Sequence, residues 1–208
     1  MLVSSQTMSK SDLRKKQRLL LKEYTQDTEK CTILSLRASE VLFSSHLYQN
    51  SSVVFIFISM DTEISTERII KRALLDGKEV VIPKVNGSEL DFYYLQQDKT
   101  LEEQLETGAF GILEPKEDLE KLSFETFPLH SLFILPGLAF TYDGKRLGQG
   151  KGYYDRFLEK VFNQNDNYRL PEAIIGFCYF CQICETLPME DQDFFVSHVL
   201  TEHGLYSC

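Results

Sequence analysis

Residues 53–58 read Val53-Val54-Phe55-Ile56-Phe57-Ile58, a run with no polar member. Consecutive β-branched and aromatic residues describe a strand buried on both faces, because a half-exposed strand alternates apolar with polar. Downstream, Thr66 to Asp76 carries helical spacing at Ile69, Ile70, Ala73 and Leu74 and closes at Gly77. Val80-Val81-Ile82 is then a second buried strand, stopped by Pro83, and Leu90 to Leu95 is a more mixed one expected to pair antiparallel near an edge. The stretch from Asp98 to Pro128 is acidic and loop-rich with weak helix signals. Ser131 to Leu135 is another buried strand, ended by Pro136-Gly137. A helix from about Gly152 to Phe162 follows, then strands at Ala173 to Phe177 and near Phe195 to Leu200.

Upstream of residue 53 the texture is helical. Leu13, Gln17, Leu20 and Tyr24 step by four, three and four, with Lys10, Arg14, Lys15, Lys16 and Arg18 on the other sides. A second helix is expected from about Asp27 to Tyr48, its stripe formed by Cys31, Leu34, Ala38 and Val41 and its cap by Thr28. Buried strands alternating with helices predict an α/β fold: a mostly parallel sheet with helices on both faces, three-layered and Rossmann-like. No repeat, low-complexity tract or linker divides the chain, so residues 1–208 read as a single domain.

Composition narrows the function classes. Charged residues number 22 basic and 31 acidic, a net −9, so a nucleic-acid binder would need a strong local basic patch. No apolar run approaches the ~20 residues that cross a bilayer, and no export signal is visible. Five cysteines, an odd count, suit a reducing compartment better than a disulfide scaffold. A soluble, cytoplasmic protein is the expectation. Cys178, Cys181 and Cys184 fall at two-residue gaps, but an iron–sulfur run needs a fourth cysteine three residues on, and that position is Pro188. They read as packing residues.

The chemistry lies in residues 136–158. After a buried strand, Gly148, Gly150 and Gly152 alternate, Arg146 and Lys151 stand among them, and a helix begins. Alternating glycines let the backbone approach a ligand and turn its N–H groups toward an anion, and a helix N-terminus adds partial positive charge. This spacing predicts a phosphate cradle, with a purely structural glycine loop as the alternative. A Walker loop would put Ser or Thr where Gly152 stands, and a dinucleotide fingerprint would put glycine at Tyr153. Asp155 favours the cradle, because a carboxylate beside a phosphate needs a divalent cation between them. In open parallel sheets ligands sit beyond the carboxyl ends of the strands, which here means residues 59–63, Pro83-Lys84 and the loop from Pro136 to Tyr154.

The run Leu135-Pro-Gly-Leu-Ala-Phe140 followed by Gly144-Lys-Arg-Leu-Gly-Gln-Gly-Lys-Gly-Tyr-Tyr-Asp155 strongly resembles the signature of the 5-formyltetrahydrofolate cyclo-ligase (methenyltetrahydrofolate synthetase) family. The resemblance extends to Lys10-x-x-Leu13-Arg14, to Ile58-Ser-Met-Asp-Thr-Glu63-Ile, and to Asp193 with Val199-Leu-Thr-Glu202. It implies that Lys10, Arg14, Arg146, Leu147, Gly148, Gln149, Gly150, Lys151, Gly152, Tyr153 and Tyr154 contact ATP. It implies that Ile58, Glu63, Gln149, Gly150, Lys151, Gly152 and Tyr153 contact the folate, that Asp155 and Asp193 hold magnesium, and that Lys151, Arg146 and Tyr153 carry the catalysis. The chain departs from the pattern at Thr141, where many members have Asp, at Gln149, often basic or small, and at Ser197, commonly acidic.

The implied reaction moves phosphate from ATP onto the N5-formyl oxygen of 5-formyltetrahydrofolate, after which N10 closes the ring and releases phosphate. Phosphoryl transfer asks mainly for alignment and charge stabilisation, which Lys151, Arg146, the glycine N–H groups and magnesium suit; no covalent nucleophile is needed. ATP and 5-formyltetrahydrofolate are the expected ligands, with no nucleic acid, membrane or obligate protein partner. Two other readings compete: a non-catalytic folate/ATP-binding module on the same fold, and a sugar-phosphate isomerase-like enzyme with no ATP requirement.

Overall fold

In the computed structural model, which describes residues 8–108, 111–164 and 170–208, each early helix is started by a side-chain cap. Ser9 accepts from the Asp12 amide at 3.2 Å and opens α1 (Lys10–Tyr24). Asp27, rather than the expected Thr28, accepts from the Lys30 amide at 3.0 Å and opens α2 (Thr28–Ser44). The expected single helix to Tyr48 is broken: Ser45 is extended, and its hydroxyl starts a separate α3 (His46–Asn50) by accepting from the Tyr48 amide. A second serine cap thus wins over helix continuation.

β1 (Val53–Ile56) is shorter than the apolar run. Past Ile56 the chain leaves the sheet, and reciprocal bonds between Ser59 and Thr66, each 3.2 Å, close the loop into α4 (Glu67–Leu75). Phe57 stays buried all the same. β2 (Glu79–Asn86) runs through Pro83 instead of stopping there. β1 pairs with β2 only as far as Val81, and the antiparallel β3 (Glu89–Tyr94) meets Pro83 at a position facing Phe92. Bonding alternates from the Leu95 amide to the Val80 carbonyl, so the nitrogen of Pro83 faces the side where β1 has ended and no ladder bond is lost.

The acidic stretch holds a short α5 (Leu101–Gln104), started by a Thr100–Glu103 capping box, and a small hairpin of β4 (Leu105–Thr107) and β5 (Leu113–Pro115). Then come β6 (Ser131–Leu135), the two-residue strands β7 (Ala139–Phe140) and β8 (Arg146–Leu147), α6 (Tyr153–Gln164) and β9 (Ala173–Phe177). The last expected strand lies at β10 (His198–Thr201), later than its apolar start at Phe195 suggested. It is followed by β11 (Gly204–Ser207), which the sequence reading did not separate. The single-domain span of 1–208 also takes in residues 1–7, 109–110 and 165–169, which lie outside the described residues.

The main sheet has seven strands in the order β11-β10-β9-β6-β1-β2-β3, parallel throughout except for the antiparallel edges β3 and β11. Alternate side chains feed two cores. Val54, Ile56 and Ile134 pack with Ala38, Leu42, Ile69 and Ile70 of α2 and α4. Phe55, Phe133 and Phe92 pack on the opposite face with Phe157 and Leu158 of α6. Helices on both faces of a mostly parallel sheet make this the expected three-layer α/β fold. No helix among the described residues is long and apolar enough to cross a membrane.

Candidate active site

β1 is followed on one side by β2, while β6 lies on its other side. Where neighbouring parallel strands send their connections in opposite directions, the loops at their carboxyl ends part and leave a crevice. A cleft of about 260 Å³ opens beyond the carboxyl end of β6, between α1, the loop from Pro136 to Gly152, the first turns of α6 and the segment 190–193. Lys10, Arg14, every residue from Arg146 to Arg156, and Asp193 line it. All of the residues expected on the ATP and magnesium side therefore line one cavity.

The backbone of the glycine run is held by α1. Arg14 Nε donates to the Gly148 carbonyl at 3.0 Å, and Arg18 donates to the Gln149 carbonyl at 2.9 Å and to its side-chain oxygen at 3.2 Å. A trans peptide points its N–H opposite to its C=O. Drawing the carbonyls of 148 and 149 toward α1 therefore turns the amides of Gln149 and Gly150 away from it. Neither amide has a protein acceptor among the described residues. Gly150 has φ +100°, and a Cβ there would lie 3.2 Å from the Arg14 guanidinium; at Gly152, with φ +66°, it would lie 2.8 Å from Arg156 Nη1. The positive φ favours glycine at both positions, whereas the crowding is against arginine side chains that can shift.

Charges in the cleft are paired across the chain. Arg146 is buried; its Nη2 donates to Asp155 Oδ1 at 2.7 Å and its Nη1 to the Pro136 carbonyl at 3.3 Å, while Nε has no partner. Lys10 Nζ meets Asp193 Oδ2 at 2.5 Å and Glu190 at 3.4 Å. Lys151 is exposed and makes no ion pair among the described residues, which leaves its ammonium free at the rim. Tyr153 is half-buried: its hydroxyl donates to the Gly87 carbonyl at 3.4 Å, and Arg156 stacks 5.5 Å from its ring centroid.

Asp155 and Asp193 are the donors a magnesium ion could use. No cluster of three or more metal-ligating side chains exists among the described residues. Two half-buried carboxylates lining one cleft nonetheless match the way magnesium is usually held, by one or two carboxylates together with substrate phosphates and water. The donor chemistry fits.

Of the residues expected on the folate side, Gln149, Gly150, Lys151, Gly152 and Tyr153 line that cleft, while Ile58 and Glu63 sit apart from it. Ile58 lines a second groove of about 370 Å³ with Ser59, Thr66, Ile70, Leu101 and Leu113. Glu63 lines neither cavity. Its carboxylate accepts from the Met60 amide at 3.0 Å, and burial pushes its pKa from the ordinary 4.5 up to about 7, against the lowering effect of that bond. Tyr154 connects the two regions: it lines the cleft, lies 5.9 Å from Arg146, and has its hydroxyl pKa raised by burial and then by the charge of Glu63.

The departures from the family pattern leave the cleft intact. Thr141 bonds Asp143 and accepts from the Lys145 amide at 3.0 Å, fixing the turn between β7 and β8. Ser197 exchanges bonds of 2.9 and 3.1 Å with the backbone of Ile174 and so pins the start of β9. Gln149 is exposed and held by Arg18. Burial raises the thiols of Cys178, Cys181 and Cys184, and Cys184 accepts from Gln17 at 3.4 Å. The sequence reading missed Arg18 as a loop contact, although Lys10, Arg14 and Arg18 recur at four-residue steps. It also missed Arg156, which donates to the Lys151 carbonyl at 3.0 Å and so buttresses the loop from α6.

Comparison with known proteins places the chain among known relatives. The model of the 5-formyltetrahydrofolate cyclo-ligase family matches residues 6–202. The chain is 33% identical over 171 residues to the 5-formyltetrahydrofolate cyclo-ligase of Mus musculus, covering 81% of this chain and 82% of that one. To the probable 5-formyltetrahydrofolate cyclo-ligase of Caenorhabditis elegans it is 34% identical over 202 residues, 93% of this chain and 92% of the relative. The NMR structure of Aquifex aeolicus 5,10-methenyltetrahydrofolate synthetase superposes with a TM-score of 0.74 at 30% identity, over 96% and 93% of the two chains. The synthetase structure from Mycoplasma pneumoniae, at 18% identity and a TM-score of 0.66 over 94% and 99%, shares the fold.

Proposed function

The chain belongs to the 5-formyltetrahydrofolate cyclo-ligase family, and from that premise we propose that it converts 5-formyltetrahydrofolate to 5,10-methenyltetrahydrofolate in a reaction that consumes ATP and needs magnesium. One observation carries the reading beyond family membership: Lys10, Arg14, Arg146, the glycine run, Asp155 and Asp193, drawn from three separate parts of the chain, line a single cleft beyond the carboxyl end of β6.

ATP phosphates would lie along the glycine run, met by the free amides of Gln149 and Gly150, by the N-terminal turn of α6 and by Lys151. Magnesium, when bound by Asp155 and Asp193, offsets phosphate charge. Glu63 would accept from N–H groups of the pterin, and Tyr154, between Glu63 and Arg146, would form the wall between folate and nucleotide. The γ-phosphoryl group passes to the formyl oxygen, which makes that oxygen a leaving group; N10 then attacks the formyl carbon, and phosphate departs. Lys151 and Arg146 stabilise charge on the transferring oxygens, and Tyr153 shapes the platform. Ring closure is intramolecular, so the pocket's contribution is to hold a reactive conformer.

The test is the absorbance of methenyltetrahydrofolate formed from 5-formyltetrahydrofolate, with and without ATP and magnesium. Product only with both is the expected result. ATP-independent product, or binding of both ligands without turnover, would overturn it.

A further inference from the structure

We propose that Arg18, on the third turn of α1, is a positioning residue of the anion cradle: it sets the peptide planes of the glycine run rather than touching the nucleotide. The inference rests on the nucleotide reading above and goes beyond it. Arg14 and Arg18 lie at i and i+4 and grip consecutive carbonyls, those of Gly148 and Gln149. Arg18 does so at two points, because its Nε also meets the Gln149 side-chain oxygen at 3.2 Å. With Gly150 at φ +100°, the loop occupies a conformation that glycine does not prefer over its alternatives, so something outside the loop must select it. On the α6 side the selecting contact is Arg156 to the Lys151 carbonyl. On the α1 side it is the arginine pair. Releasing the Gln149 carbonyl frees the 149–150 peptide to rotate, and the Gly150 amide loses its fixed direction.

Uniform loss of a phosphate donor weakens binding of ATP and of its transition state alike, so it raises KM while leaving kcat nearly unchanged. The bond is charge-assisted but exposed, which points to an effect of about tenfold. An arginine that served only helix stability would lower Tm and leave nucleotide affinity alone. The full-length protein and its Arg18→Ala, Arg18→Lys and Lys22→Ala variants are compared by calorimetric titration with magnesium-ADP and by steady-state kinetics. Arg18→Ala is expected to raise the ADP Kd and the ATP KM by about tenfold, with kcat within about twofold. Arg18→Lys, whose ammonium lacks the two-point fork, should fall between it and wild type. Lys22→Ala, which removes an α1 charge with no loop contact, should match wild type. ADP binding by Arg18→Ala and Arg18→Lys equal to wild type overturns this inference alone. Equal losses in Arg18→Ala and Lys22→Ala overturn it as well, in favour of a diffuse charge effect. A wild-type chain that binds no magnesium-ADP overturns the nucleotide reading and the inference together.

Discussion

Glu63→Gln should make the protein more stable at pH 8 while weakening its substrate binding. Burial holds the Glu63 carboxyl at about 7 in the folded chain, against 4.5 when solvated. Below 4.5 both states carry the proton, and the group costs nothing. Between 4.5 and about 7 the unfolded chain ionises while the folded one keeps its proton, so folding stability falls as pH rises. Above about 7 both are ionised and the penalty is constant. At ~1.36 kcal/mol per pH unit the gap amounts to about 3 kcal/mol, an upper figure because Glu63 is not fully shielded from solvent. Glutamine carries no charge, and its amide oxygen can still accept from the Met60 amide. The variant should therefore match wild type near pH 4.5 and exceed it by up to ~3 kcal/mol at pH 8, which for a chain of this length is roughly 6–12 °C in Tm. Urea and thermal unfolding of both proteins across pH 4.5–8 measures the difference. A stability difference that stays flat across that window would refute the reasoning, because it would mean that Glu63 ionises as freely in the fold as in water.

The same carboxyl sets a kinetic signature: kcat/KM for 5-formyltetrahydrofolate should rise with pH through about 7 in wild type, and lose that limb in Glu63→Gln, where the folate KM is higher throughout. Lys151→Ala should cost about 10²–10³ in kcat at saturating ATP with no change in Tm, since the side chain is exposed and free of ion pairs. Gly150→Ala should lose about 1–2 kcal/mol in chemical unfolding, from the positive φ, and weaken magnesium-ADP binding by pushing on Arg14. Asp155→Asn should raise the magnesium concentration for half-maximal activity in the steady-state assay; an unchanged midpoint with a lowered Tm would reduce Asp155 to the partner of Arg146.

The sheet was legible in the sequence because its central strands are buried on both faces. Val53 to Ile58, Val80 to Ile82, Ser131 to Leu135 and Ala173 to Phe177 carry no polar alternation, and a strand of that kind needs helices above and below it. Its edges were less legible. Pro83 reads as a stop because proline forfeits a ladder bond, yet the bond it forfeits lies on the side β1 has already vacated, a fact of pairing rather than composition. The break at Ser45 is similar: Ser44-Ser45 is compatible with a helix, and the competing cap on Tyr48 decides the outcome. The hairpins β4–β5 and β7–β8 are too short for any periodicity to emerge.

The glycine run was legible because its chemistry is local: alternate glycines, a lysine and a helix start sit within a few residues of one another. The opposing wall is not local. Lys10 and Asp193 touch although 183 positions separate them, and Arg18 reaches Gln149 across 131. A bound nucleotide with a divalent ion needs cations for its phosphates and carboxylates for its metal within a few ångströms of each other. The cleft meets that need twice, at Lys10–Asp193 and at Arg146–Asp155, with the two pairs built from different segments. Each pair also keeps its carboxylate from standing as an uncompensated anion beside the proposed phosphate position, where it would repel that ligand. On the proposed reading, the motif alone describes an anion cradle; the juxtaposition of α1 and residues 190–193 with it is what would suit the cleft to a metal-bound triphosphate, and only the fold supplies that juxtaposition.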